Sequence, residues 1–166
     1  MSQTRFVTAT EAACVRKSEV LKEFFPALAQ AKIEVLFDTK KRVKGGKMVL
    51  GRILRANDLI RKLTDNLADE GCDYILFLDQ IAYEAMPTVD QERLVRHELR
   101  HCKVVGTPEN PRYKIVPHDI EDFEVEIALN QDDIGWARRS AALAEEIYSQ
   151  MEDSQKDQNK KTKKEE

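Results

Sequence analysis

His97-Glu98-Leu99-Arg100-His101 places two imidazoles four residues apart with a carboxylate between them. On a helix, residues i and i+4 share one face, so both rings can reach a single metal ion. Glu98 lies about 100° around the helix from His97, beside the water such a metal would activate. Two ligands and a base are the minimum apparatus for metal-assisted hydrolysis of a peptide bond. A catalytic zinc takes three protein ligands and keeps one position open. The chain has three histidines, and the third, His118, follows His101 by seventeen residues, so the histidine count matches one site.

The third ligand has two candidates. A neutral imidazole suits zinc, and His118 stands between Pro117 and Asp119 at a predicted helix start. The rival is Glu121, with Glu124 a weaker alternative. Asp119 or Asp122 could orient a histidine through its second ring nitrogen. Otherwise Glu121, Asp122, Glu124 and Glu126 read as a solvated acidic face. Tyr83 and Tyr113 are candidates to hold the oxyanion, although a core role is the ordinary one for each.

These residues need a helix, and the sequence provides one. Thr88 and Gln91 have capping-box spacing, and Leu94, Val95, Leu99 and Cys102 form an apolar stripe beside the histidines. Gly106, Pro108 and Pro111 are stop signals. Upstream, residues 9–31 are predicted helical with a break at Pro26, and Ile33–Phe37 alternates as a strand. Lys40–Lys47 reads as a hairpin tip before a second strand at 48–54. Asn57 caps a helix bearing Leu59, Ile60, Leu63 and Leu67, and 73–79 is a well-covered strand placed immediately before the motif helix. Arg112–Pro117 is extended, Asp119 caps a helix with Ile120, Phe123 and Ile127, and a last helix carries Trp136 to Tyr148. Residues 1–152 are predicted to be one domain. Residues 153–166 contain no apolar side chain and are predicted to be a disordered tail.

Bulk properties exclude several function classes. The 166 residues carry a formal net charge of −3, which gives no general attraction to nucleic acid or membranes. No apolar run approaches membrane-spanning length, and no secretory signal opens the chain. Three cysteines without close pairing fit a reducing cytoplasm. Lys40, Lys41, Arg42, Lys44 and Lys47, with the charged C-terminal tail, are what would bind a nucleic-acid partner. They lack the glycine spacing of a phosphate loop.

The aromatic-aliphatic strand before the motif helix, HELRHC, and Tyr113-Lys114-Ile115-Val116-Pro117-His118-Asp119 together resemble the phage-type HExxH metallopeptidases of bacteriophages and mobile elements. The resemblance spans roughly residues 30–130 and is more distantly similar to the SprT-like and ImmA/IrrE-like metallopeptidases. It implies a minimal zincin-like α+β fold, a small mixed sheet packed on helices with the motif on a central helix. It also implies one zinc ion held by His97, His101 and His118, Glu98 as base, and a protein or peptide substrate. The competing reading is a non-catalytic zinc-containing module, regulatory or nucleic-acid-associated. The oligomeric state is not encoded in any motif.

Overall fold

Strand β6 (Tyr74–Asp79) is buried along its whole length because it has a strand on each side and helices beneath it. The computed structural model, which describes residues 4–119 and 122–162, is α+β. Its main sheet has the order β1 (Phe6–Thr8), β2 (Ile33–Asp38), β6, β5 (Gly51–Arg55). The β2–β6 pair is parallel and the two outer pairs are antiparallel. The 33–54 segment therefore does not form one hairpin as the sequence predicts. Gly45 and Gly46, both at positive φ, turn only a short ribbon of β3 (Val43–Lys44) and β4 (Lys47–Met48), and β6 inserts between the flanking strands.

Alternate residues of β2 and β6 (Val35, Phe37, Tyr74, Leu76 and Leu78) join the core with Ala13 and Val20 of α1 (Glu11–Phe24). Leu94, Val95 and Leu99 of the motif helix α4 (Thr88–Arg100) complete it, with Val95 and Leu99 fully buried. Burying each of these aliphatic side chains contributes about 1.5–3 kcal/mol. That anchoring fixes the rotation of α4, and hence which way its histidines face.

Three local expectations change. A short helix α3 (Gln80–Ala85), capped by Asp79 through Ala82 N at 2.9 Å, intervenes between β6 and α4. The Thr88/Gln91 capping box is not formed: Pro87 occupies the N-cap, and Gln91 Nε2 donates instead to the Tyr83 carbonyl at 2.9 Å. α2 (Asp58–Leu63) is capped by Asn57 as predicted, yet Leu59, Leu63 and Leu67 stay exposed. This segment is held by polar contacts, including Arg61 on Asp73 and the Thr64 hydroxyl accepting from Cys72 N.

The chain beyond α4 departs most from expectation. Gly106 and the prolines do not end the helix, which stops at Arg100 with His101 as C-cap. They belong to an antiparallel hairpin, β7 (Cys102–Thr107) and β8 (Asn110–Ile115), where Gly106 at φ +96° faces Pro111. Cys102 is thus the first residue of a strand, buried as a small apolar group. The Tyr74 hydroxyl donates to the Lys114 carbonyl at 2.7 Å and ties the hairpin under the sheet. α5 (Glu124–Leu129) and α6 (Trp136–Thr162) follow. α6 runs past Asp153, because Glu, Gln and Lys are good helix formers and Lys156 pairs with Asp153 one turn back. Residues 153–162 are thus helical where composition alone predicts disorder. Ile120, Glu121 and residues 163–166 lie outside the described residues. No helix among the described residues is long and apolar enough to cross a membrane.

Candidate metal centre

His97 and His101 project from the last turn of α4, and the hairpin that begins at Cys102 returns the chain to them. Its closing contacts are two hydrogen bonds between His101 and Val116. Val116 N donates to the His101 carbonyl at 2.8 Å, and His101 Nδ1 donates to the Val116 carbonyl at 2.7 Å. Two residues later, His118 Nε2 lies 3.1 Å from His97 Nε2. One donor atom from each of His97, His101 and His118 lies within 4.8 Å of the others.

The second ring nitrogens are already committed. His97 Nδ1 donates to Asp122 Oδ1 at 2.9 Å, and that same oxygen accepts from Phe123 N at 2.7 Å. With Nδ1 protonated and occupied on both helix histidines, Nε2 is left with its lone pair toward the common centre. Burial lowers the pKa of both His97 and His101, and this is opposed only in part, at His97 by Asp122 and at His101 first by the Val116 carbonyl. The rings are therefore neutral at neutral pH, and the His97–Asp122 contact is a hydrogen bond rather than an ion pair. Neutral imidazoles with converging Nε2 atoms are a donor set that fits a divalent, borderline-soft cation.

Phe123 supports this set. Its buried ring lies 5.5, 4.7 and 5.0 Å from the rings of His97, His101 and His118. Sequence reasoning read Phe123 as an ordinary apolar helix residue. The structure places it ahead of α5, as N-cap residue and as packing for the three imidazoles. Asp119 accepts from Glu124 N at 3.1 Å, so it does reach the start of α5, although the helix begins later than predicted.

Glu98 packs against Gly51 at the start of β5. It is buried, and burial pushes its carboxyl up to about 8. A carboxyl with a pKa near neutrality is suited to taking and returning a proton. The Cys102 thiol is also pushed up, first by burial and then by Glu98, which keeps it protonated and a poor ligand. Tyr83 is buried against Phe37 at 5.7 Å, and Tyr113 packs on Tyr74 at 5.7 Å. Both make the contacts of core aromatics rather than of the histidine cluster.

Buried ionic contacts hold α5 and α6 to the motif helix. Glu126 is fully buried: Oε2 accepts from Arg96 Nε at 2.8 Å, and Oε1 accepts from Arg100 Nη2 at 2.9 Å. Asp90 is likewise buried, between Arg93 at 2.9 Å and Arg139 at 2.8 Å. The solvated acidic face expected over 121–126 is therefore wrong at Glu126, while Glu124 is exposed. Removing one partner of such a pair typically costs about 3–5 kcal/mol, since it strands the other charge. Arg96 and Arg100 alternate with the histidines along α4, so the ionic contacts fix the segment that carries His118 and Asp122.

A mixed sheet over a helix bearing two histidines, with a third returned by a hairpin, groups three side chains that could hold one metal ion. The family model described as "Putative phage metallopeptidase" matches residues 4–148, and the chain belongs to that family. No curated protein and no solved structure matches it.

Proposed function

We propose that the protein is a zinc-dependent endopeptidase in which His97, His101 and His118 hold the ion and Glu98 is the general base. The observation that carries this reading is the convergence of three imidazoles, two of them from the end of α4, with the buried carboxyl of Glu98, its pKa near neutrality, on the same helix. When bound, zinc acidifies water and polarises the scissile carbonyl. Glu98 accepts the proton of the water as its oxygen attacks the carbonyl carbon. It returns that proton to the nitrogen as the C–N bond breaks. His97 and His101 are oriented for their role by Asp122 and the Val116 carbonyl.

The substrate is a protein or peptide, as the family implies. Strand β5 is the last strand of the main sheet and starts at Gly51, beside Glu98. An extended peptide added along that edge would gain backbone hydrogen bonds and pass the base. The non-catalytic reading fits less well. A closed structural zinc site takes four protein ligands, and among the described residues no fourth donor joins the three histidines.

The decisive experiment is a proteolysis screen on unfolded proteins with the zinc-loaded wild type, Glu98→Gln and a chelator in parallel. Wild-type cleavage should be abolished by the chelator and fall about 10²–10⁴-fold in Glu98→Gln, with zinc content unchanged. Activity that survives in Glu98→Gln would remove Glu98 from the mechanism.

A further inference from the structure

Four residues along β5 from Gly51 stands Arg55, about 13 Å away at the rise of a strand. There a cavity of about 460 Å³ opens between the end of β5, the start of α2 and β8. Its lining includes Arg55, Arg61, Arg112, Tyr113 and Lys114, with Asp58 as the opposing carboxylate. Arg61 is engaged by Asp73. Arg55, Arg112 and Lys114 are exposed, and among the described residues none of them has a carboxylate within 4.0 Å. Among the described residues Arg55 Nη1 reaches only the Tyr113 carbonyl, at 3.4 Å.

The hairpin register adds a second observation. Lys103 lies directly opposite Lys114, and Arg112, two residues from Lys114, shares its face. Like charges facing each other across an antiparallel pair are destabilising, and no acid on either strand relieves them. This local excess of positive charge sits on a chain whose net charge is −3. An anionic ligand would convert the repulsion into binding energy.

We infer that this cavity is a specificity subsite for acidic side chains of the substrate, about four residues to one side of the cleaved bond. The inference rests on the peptidase reading and adds a substrate class to it. Its position argues for a peptide: it continues the strand edge that begins at Glu98. Phosphates of a nucleic acid would also suit the cations. The nearest aromatic, Tyr113, is however packed against Tyr74 rather than free to stack on a base.

The test uses zinc-loaded Glu98→Gln, which binds without turnover, and fluorescent peptides that differ only in a Glu-Glu, Gln-Gln or Lys-Lys pair. By anisotropy the Glu peptide should bind about tenfold tighter than the Gln peptide, the Lys peptide weakest. Adding Arg112→Glu should erase or invert that order, and the milder Arg112→Gln should reduce it. Equal affinities for the three peptides would overturn the inference. So would a single-stranded oligonucleotide that binds more tightly than the Glu peptide and is released by the same substitutions. Wild-type cleavage of the same peptides separates the two readings. Charge-selective binding without any cleavage would count against the peptidase and for the subsite. Cleavage indifferent to charge would count against the subsite alone.

Discussion

Gly51 of β5 lies directly against the Glu98 carboxylate: a Cβ at position 51 would stand 3.0 Å from Oε1 and 3.1 Å from Cγ. The backbone there has no positive φ, so glycine is required for space and not for conformation. The edge strand β5 and the Glu98 carboxyl are therefore held in place by one close approach between a strand and a helix.

Gly51→Ala should leave the fold and the zinc content intact while displacing Glu98 by a few tenths of an ångström. We expect kcat to fall about 10- to 100-fold, because small displacements of a reacting group are costly. Comparing kcat, KM and bound zinc for the wild type and Gly51→Ala checks this. Unchanged kcat would show that the Glu98 carboxyl has slack.

His118→Ala should lower zinc affinity more than any other single change outside α4. Asp122→Ala, which frees His97 Nδ1, should cost about 10- to 100-fold. Glu121→Gln should cost little. Competition titrations with a chromophoric chelator rank the three variants. A larger loss in Glu121→Gln than in His118→Ala would make the glutamate the third ligand.

How much of this was legible beforehand depended on whether the signal was local. The i, i+4 histidines, the Leu94–Val95–Leu99 stripe and the continuous apolar run of β6 are local patterns, and each lies where it was predicted. Lys103-Val104-Val105 is a strand by residue type, but it follows a helix without a gap and ends in Gly106, so it read as a helix terminus. β1 has three residues, too few to show a period. That β6 separates β2 from β5 is a topological fact with no signature in either strand. Glu126 is the clearest case: an acid is buried only where distant cations meet it, and the positions of Arg96 and Arg100 relative to α5 cannot be read from spacing.

Glu126→Ala should destabilise the protein by about 3–5 kcal/mol, whereas Glu124→Ala should stay within about 0.5 kcal/mol. Urea unfolding of the two variants gives both values. Equal effects would mean that Glu92 and Asn130, which already accept from Arg96, hold it well enough when Glu126 is absent.

Ending the chain after Asp153 should change Tm by less than about 2 °C, because the side chains described beyond Tyr148 are exposed and bury no core. This treats residues 1–152 as the folding unit. Thermal unfolding of the shortened and full chains tests it, and a drop of several degrees would mean that the end of α6 docks.

The hairpin between the second and third histidines is closed at its base by the two His101–Val116 bonds and anchored by Tyr74. Its far end, Pro108-Glu109, lies six residues of strand away, about 20 Å at ordinary rise. Such a lever with a locked root makes the tip a natural attachment point for a reporter. A dye coupled through a cysteine at position 109 would sit at a defined separation from a paramagnetic cobalt or copper ion exchanged into the histidine cluster. Quenching would then measure occupancy of the centre in real time, without disturbing the groups that hold it.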